Sequence, residues 1–270
     1  MQAKNPSFVP TRVLSEIWIY PVKSLGGVRV PSAAVSEKGL QYDRRWMLID
    51  EEGKFLTQRA LPRMALFKVR REGARFVVSW GSDELELPTA GGPAADARIW
   101  NDTIVVTEAD KQYHRWFSDR LGMACRLVAF PEENPRLIDA AYRRANENVS
   151  LADGYPLLII GQSSLDDLNG RLETPVPMNR FRPNLVFTGG TPYEEDGWKD
   201  FRVGDNAFVG VKPCARCVLT TVNQETGTTG REPLLTLSRY RKQNEKIYFG
   251  KNVIPVDRKQ IHEGDEIQVG

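Results

Sequence analysis

Short β-forming runs, each closed off by turn residues, crowd the first half of this chain and constrain its fold more than any other feature. Residues 13–20 make one such run, ended by Pro21, and residues 28–35 alternate into a second. Residues 46–50 and 54–57 flank Glu51-Glu52-Gly53, which predicts a hairpin. Runs at 65–71, 75–80, 84–87 and 103–107 continue the series. Short strands with only turns between them argue for a sandwich or barrel rather than βαβ units. The predicted fold class is mainly β with α+β decoration.

The rhythm changes at residues 110–121, where Tyr113, Trp116, Phe117 and Leu121 recur at helical spacing before Gly122, a suitable C-cap. Residues 131–150 carry Pro131, Pro135 and the polar stretch 143–148, which predicts an exposed, mobile connection and a boundary between domains 1–130 and 131–270. Beyond it, 157–160 reads as an apolar strand. Ser163-Ser164 then opens a helix over 165–172, with Asp166 and Asp167 in its first turn. Strand patterns return at 185–188, 200–203, 207–211, 218–222 and 266–269, with a helix over 235–241. The second half thus reads as a small barrel with short helices.

Composition narrows the function classes. The 37 basic and 35 acidic residues leave a net charge of +2, without the strong positive excess of a nucleic-acid binder. No stretch approaches the ~18 consecutive apolar residues of a membrane span. Residues 1–12 lack the apolar core of a signal peptide and the Arg-rich pattern of a transit peptide. Three cysteines, few and odd in number, argue against a disulfide framework. The expected setting is cytoplasmic and reducing.

Two of those cysteines stand in Pro213-Cys214-Ala215-Arg216-Cys217. A thiolate is the form that binds metal or attacks a substrate, and a neighbouring guanidinium favours it. With 218–222 read as a strand, the sulfurs fall where a loop enters a sheet. A structural zinc site wants four ligands, and only Cys125, His114 and His262 remain to complete one, at no motif spacing. A thioredoxin-type dithiol precedes a helix, whereas here a strand is expected to follow. Four further clusters place polar or basic groups at the ends of β-runs: Tyr20-Pro21-Val22-Lys23-Ser24, Asp43-Arg44-Arg45-Trp46, Thr57-Gln58-Arg59 and Asn179-Arg180-Phe181-Arg182-Pro183-Asn184. Lys, Ser and Arg are phosphate-holding types, and each cluster alone is equally an ordinary solvated surface.

Taken in order, these motifs resemble the MOSC family, named for molybdenum cofactor sulfurase C-terminal domains. More narrowly they are similar to the two-part subfamily that includes the mitochondrial amidoxime-reducing component and its bacterial relatives. Gly39-Leu40, Asp196-Gly197-Trp198, Val203-Gly204-Asp205, Thr220-Thr221 and Gly264-Asp265 add to the match. The resemblance implies a MOSC-type β-barrel over 131–270, preceded by an N-terminal β-barrel-like domain over 1–130. It implies a molybdenum cofactor (molybdenum with molybdopterin) whose metal takes one protein thiolate, by position Cys217. Cys217 and Asp153 are the implied catalytic residues. Lys23, Ser24 and Arg44 are implied to grip the cofactor's phosphate end, and Arg182 and Asn184 to face the pterin. Ala215 and Arg216 belong to the cofactor-contacting run, with Arg216 helping to keep Cys217 ionised. Position 215 is Ala where some members have Ser, which removes a hydroxyl near the metal.

The implied reaction is reduction of N-hydroxylated compounds, independent of pyridoxal phosphate. Three cysteines cannot hold a four-cysteine iron–sulfur cluster, and no Gly-x-Gly-x-x-Gly fingerprint follows a predicted strand. Electrons are therefore expected from a separate ferredoxin, flavodoxin or cytochrome-type protein, greeted by Arg44, Arg45, Arg180 and Lys212. The alternative is a cofactor carrier or sulfur-transfer protein in which Cys217 or Cys214 carries a persulfide.

Overall fold

In the computed structural model, which describes residues 11–89 and 91–270, the strands gather into four sheets. The largest runs Ile267–Val269, Asp200–Val203, Asn206–Arg216, Lys246–Pro255, Leu157–Gly161, Leu185–Thr188, Val13–Ile19, Val28–Val30, with Lys242–Gln243 paired on Lys246–Pro255. Strands from both ends of the chain meet in it: Ile17 lies opposite Leu185 in an antiparallel pair. Leu157–Gly161 and Leu185–Thr188 run parallel, with helix Gln162–Asn169 in the connection between them. The smaller sheets comprise Trp46–Ile49, Arg126–Ala129, Asp102–Glu108 and Ala94–Ile99; Lys68–Glu72, Arg75–Trp80 and Asp83–Glu86; and Gln260–His262, Ser32–Ser36 and Gly39–Leu40. The architecture is mainly β, as the spacing of the runs predicts.

Strand Leu157–Gly161 shows how the pattern makes the core. All five residues are buried, which suits a strand covered on both faces. Its side chains alternate: Leu157 and Ile159 join the cluster of Leu14, Ile17 and Phe187, while Leu158 and Ile160 join Phe181, Leu237 and Phe249. Each such residue contributes about 1.5–3 kcal/mol of apolar transfer. Helix Lys111–Leu121 forms where its spacing predicts, burying Phe117 and Leu121 and ending on Gly122 at φ 69°. No helix among the described residues is long and apolar enough to cross a membrane.

Several expectations need correction. Residues 218–222 do not form a strand: Val218–Thr221 is a short 3₁₀ turn, and the strand is Asn206–Arg216, which already carries Cys214. β-branched residues at 218 and 220–222 misled the propensity reading, because the ladder to Lys246–Pro255 ends at Arg216 opposite Ile247. Residues 54–57 contribute only two isolated pairings, Phe55 with Ile49 and Lys54 with Arg98, and Trp46–Ile49 takes Arg126–Ala129 as its partner strand. Ala94–Ile99 was hidden by its alanines and the preceding Gly91-Gly92-Pro93. Residues 131–150 are more than half exposed, as expected of a connection, but they are also tied into the fold. Arg136, Ile138, Asn148, Val149 and Ser150 are buried, and the Arg136 guanidinium donates to the carbonyls of Ser150 (2.7 Å) and Ala152 (2.6 Å).

Behind the largest sheet, Glu195 is fully buried and accepts hydrogen bonds from Ser164 Oγ (3.0 Å) and the Gly161 amide (3.3 Å). Burial pushes its carboxyl up to about 7. The folded state thus holds this proton more tightly than the unfolded chain does. Stability is greatest while the group is protonated and falls as pH rises from the ordinary carboxyl value toward 7. Glu195→Gln should therefore raise Tm near pH 8, by roughly 2–4 °C per kcal/mol of relieved charge, with the gain shrinking near pH 5. Calorimetric melting at both pH values checks the sign; a loss of Tm at pH 8 would contradict it.

Candidate functional site

The sequence clusters converge because strand ends place them together. Val13–Ile19 leads into Tyr20-Pro21, where a residue without an amide hydrogen ends the ladder, and Lys23 follows with its amide on the Trp46 carbonyl (2.8 Å). Lys23, Ser24, Arg44, Asp153, Arg182, Asn184 and the Cys214–Cys217 run all line one cleft of about 800 Å³, including the solvent at its mouth. That is room for a ligand larger than a single ion. Of the eight described non-glycine residues with positive φ, Ser24 (66°), Arg44 (52°) and Arg182 (55°) are in this lining. Such backbone costs of order 1–3 kcal/mol per residue and gathers at ligand sites.

Charge is the second feature. Lys23, Arg44, Arg59, Arg182 and Arg216 line the cleft against one carboxylate, Asp153, in a chain that is nearly neutral overall. The buried Tyr20 ring has the guanidinium groups of both Arg44 (4.4 Å) and Arg182 (4.2 Å) against it. Buried Asp43 and Asn184 Oδ1 (3.0 Å) accept from Arg44, whereas Arg182 donates to a neutral carbonyl, Leu25 O (2.7 Å). Burial pushes the Arg182 guanidinium down to about 10. Asn184 also donates to Trp18 O (3.1 Å), which ties it to the sheet as well as to the cleft.

Around the sulfur, Lys23 Nζ donates to Asp153 Oδ1 and to Leu151 O, both at 2.7 Å. Burial pushes Lys23 down to about 8, against the pull of Asp153. Asp153 also pairs with Arg59, whose Nε donates to Cys217 Sγ at 3.2 Å. Packing around Asp153 works to raise its pKa, but the two cations outweigh that and hold it well below the usual carboxylate range. Nearly half of its side-chain surface (47 %) remains open to the cleft, so water screens part of this attraction.

The partner of Cys217 is therefore not Arg216. Neighbouring residues of a strand face opposite ways, while residues two apart share a face. Arg216 accordingly donates to Cys214 Sγ (3.0 Å) and to Phe181 O (2.7 Å). Cys217 instead receives Arg59 from the other half of the chain, a residue noted within Thr57-Gln58-Arg59 but given no role there. Adjacency in sequence misled, and strand alternation was the signal to use. The order of elements around the thiols also reverses, with a strand before and a helical turn after, so that ground against a dithiol falls. Cys214 packs toward the Phe181–Phe249 cluster, and Cys125 is buried, as its apolar neighbours suggest.

Of the basic residues expected to greet a protein partner, only Arg44 lines the cleft. Arg45 is buried, pairing with Glu132 and donating to Asp43 O (2.5 Å). Arg180 is buried and donates to Thr220 O (2.8 Å) and Glu232 O (3.0 Å). Lys212 is half-buried over Tyr142 (4.4 Å) and Tyr155 (4.9 Å). Both arginines satisfy backbone carbonyls inside the fold, a use that sequence does not distinguish from surface charge.

The chain has counterparts among known proteins. Residues 11–124 match the family model described as MOSC N-terminal beta barrel domain, and residues 146–268 match the MOSC domain. Mitochondrial amidoxime-reducing component 1 of Mus musculus is 37% identical over 253 residues, which cover 88% of this chain and 74% of that protein. Mitochondrial amidoxime reducing component 2 of Bos taurus is 35% identical over 241 residues, covering 84% and 72% respectively. Molybdenum cofactor sulfurase of Oryza sativa subsp. japonica is 33% identical over 276 residues; the match covers 93% of this chain but only 33% of that protein. With both domain models matched in order along its length, the chain belongs to the MOSC family, in the form that joins an N-terminal MOSC β-barrel domain to a MOSC domain.

Proposed function

We propose that this cleft holds an anionic molybdenum–pterin cofactor and reduces N-hydroxylated compounds. The observation that carries the reading is the convergence of five cations and one carboxylate around the free thiol of Cys217. The donor set fits the group. Arg216 Nε is buried without a hydrogen-bond partner among the described residues, and Arg182 offers further N–H groups to the cleft. Among the described residues no three His, Cys, Asp or Glu side chains gather to complete a metal shell, so a metal on Cys217 needs ligands that arrive with it.

In this reading Lys23, Ser24 and Arg44 hold the phosphate end, Arg182, Asn184, Ala215 and Arg216 contact the pterin, and Cys217 supplies the thiolate. When bound, the cofactor supplies the two-electron chemistry. Arg59 holds the Cys217 sulfur by its Nε–H, and Asp153, kept ionised, accepts an N–H or O–H of the substrate and orients it. Reduction consumes two electrons and two protons per N–O bond broken and releases water. The electrons come from a separate protein of ferredoxin, flavodoxin or cytochrome type. Three free cysteines suit a reducing compartment, the cytoplasm in this reading. The matched amidoxime-reducing relatives are named for mitochondria.

A second reading, cofactor carriage or sulfur transfer through a Cys217 or Cys214 persulfide, draws support from the sulfurase relative and from two thiols in one cleft. Steady-state assays with an amidoxime separate the two. Dithionite-reduced viologen should drive formation of the amidine, and NADH alone should not. Absence of dye-driven turnover by cofactor-loaded protein would contradict the reductase reading.

The proposed anion contacts carry a pH dependence. Lys23 loses its charge as pH rises through about 8, so the cleft then offers one cation fewer. Affinity for inorganic pyrophosphate, measured calorimetrically on cofactor-free protein, should fall above that point by no more than about tenfold per pH unit. Lys23→Met should weaken binding near pH 7 and flatten the profile above 8. An unchanged profile in that variant would remove Lys23 from the anion site.

A further inference from the structure

Trp100 is the most exposed aromatic side chain among the described residues, with 54% of its surface in solvent. A single exposed apolar residue is ordinary. This one is held in place. Its ring meets the Phe55 ring edge-on at 5.1 Å, stands 5.0 Å from the Arg59 guanidinium carbon, and donates from Nε1 to Asp153 Oδ1 at 3.4 Å. It also occupies the turn between Ala94–Ile99 and Asp102–Glu108 at φ 55°, where Gly, Asn or Asp is the usual occupant. A bulky side chain kept in strained backbone, tethered by three contacts and still more than half exposed, points to a use for its exposed surface.

The tethers place that surface at the edge of the cleft. Arg59 and Asp153 both line the cleft, and Arg59 touches the Cys217 sulfur, so the indole stands on the cleft rim one residue removed from the thiol. Val218, next to Cys217 in the chain, is 55% exposed and adds a second apolar surface beside the sulfur. Inside the cleft the cations stand beside Tyr155, Leu158, Phe181 and Leu219, and Trp100 and Val218 carry that apolar surface outward along the rim, where an uncharged, flat group can lie.

We propose that Trp100 is a specificity-determining residue whose exposed indole stacks on a planar conjugated group attached to the N-hydroxylated centre. The cleft then favours aryl over alkyl substrates. This rests on the reductase reading above. The test is the ratio of kcat/KM for benzamidoxime to that for an N-alkylhydroxylamine, driven by reduced viologen. Trp100→Ala should lower this ratio about three- to tenfold, the range of aromatic stacking, whatever loss both substrates share through a disturbed Arg59. Trp100→Phe, which keeps a ring but loses the N–H bond to Asp153, should restore most of it. A ratio unchanged in the alanine variant, or lost equally in the phenylalanine variant, overturns the platform. A second readout is free of turnover: benzamide, a neutral planar analogue, should quench tryptophan fluorescence in the parent protein but much less in Trp100→Phe. Wild-type protein inert toward both substrates would instead contradict the reductase reading, and benzamide quenching would still decide for or against the platform.

Discussion

Cys217→Ala should leave the protein folded and remove its activity. The side chain is half-buried at the end of a strand, and its one polar contact is Arg59 Nε, so its loss should shift stability by no more than about 1 kcal/mol. Losing a metal ligand is a larger matter than losing a group that merely orients one, which typically costs 10–100-fold. Turnover of an amidoxime should fall by more than about 100-fold, with loss of the protein sulfur from the metal's X-ray absorption. Cys214→Ala should keep activity within about threefold, since Cys214 is paired with Arg216 and packs into the Phe181–Phe249 cluster. Equal losses from the two substitutions would favour sulfur transfer over reduction.

The second large effect is expected at Arg182. Its guanidinium is buried, lies 4.2 Å from the Tyr20 ring beside a second arginine, and donates to a neutral carbonyl. Its charge is desolvated and left short of negative charge, which is why its pKa is pushed down to about 10. An anion in the cleft supplies what is missing. Arg182→Met should therefore weaken pyrophosphate binding by about 30- to 1,000-fold, the usual loss for a buried charge partner. Stability of the cofactor-free protein should change by less than about 1 kcal/mol, because relief of desolvation offsets the unpaired Leu25 carbonyl. Titration calorimetry and urea denaturation on one preparation give both numbers. Strong destabilisation with unchanged anion affinity would make Arg182 a structural strut.

Much of the fold was legible because strand formation here follows local rules. Runs such as 75–80, 157–160 and 185–188 are rich in aliphatic and aromatic residues and bounded by turn residues, and their middle positions are buried as a sheet demands. What escaped depended on partners distant in sequence. Trp46–Ile49 pairs with a strand some eighty residues later, and Val218–Thr221 turns because its neighbouring strand ends. The candidate site divides in the same way. Residues whose type alone suits an anion, such as Lys23, Arg44 and Arg182, were found with the help of a family resemblance. Arg59, Tyr20 and Trp100 matter through stacking and through a contact spanning 158 residues, and neither leaves a mark in the local sequence. Arg45 and Arg180 look identical to them as letters and are spent inside the fold.

The central claim is that the cleft around Cys217 holds a molybdenum–pterin cofactor. The most direct measurement is elemental and pterin analysis of the intact protein purified from a host that synthesises the cofactor, alongside Cys217→Ala and Arg182→Met. The account predicts molybdenum and pterin near one per chain in the parent protein, both retained but without the protein sulfur on the metal in Cys217→Ala, and both depleted in Arg182→Met. A parent protein without molybdenum or pterin from such a host would contradict it.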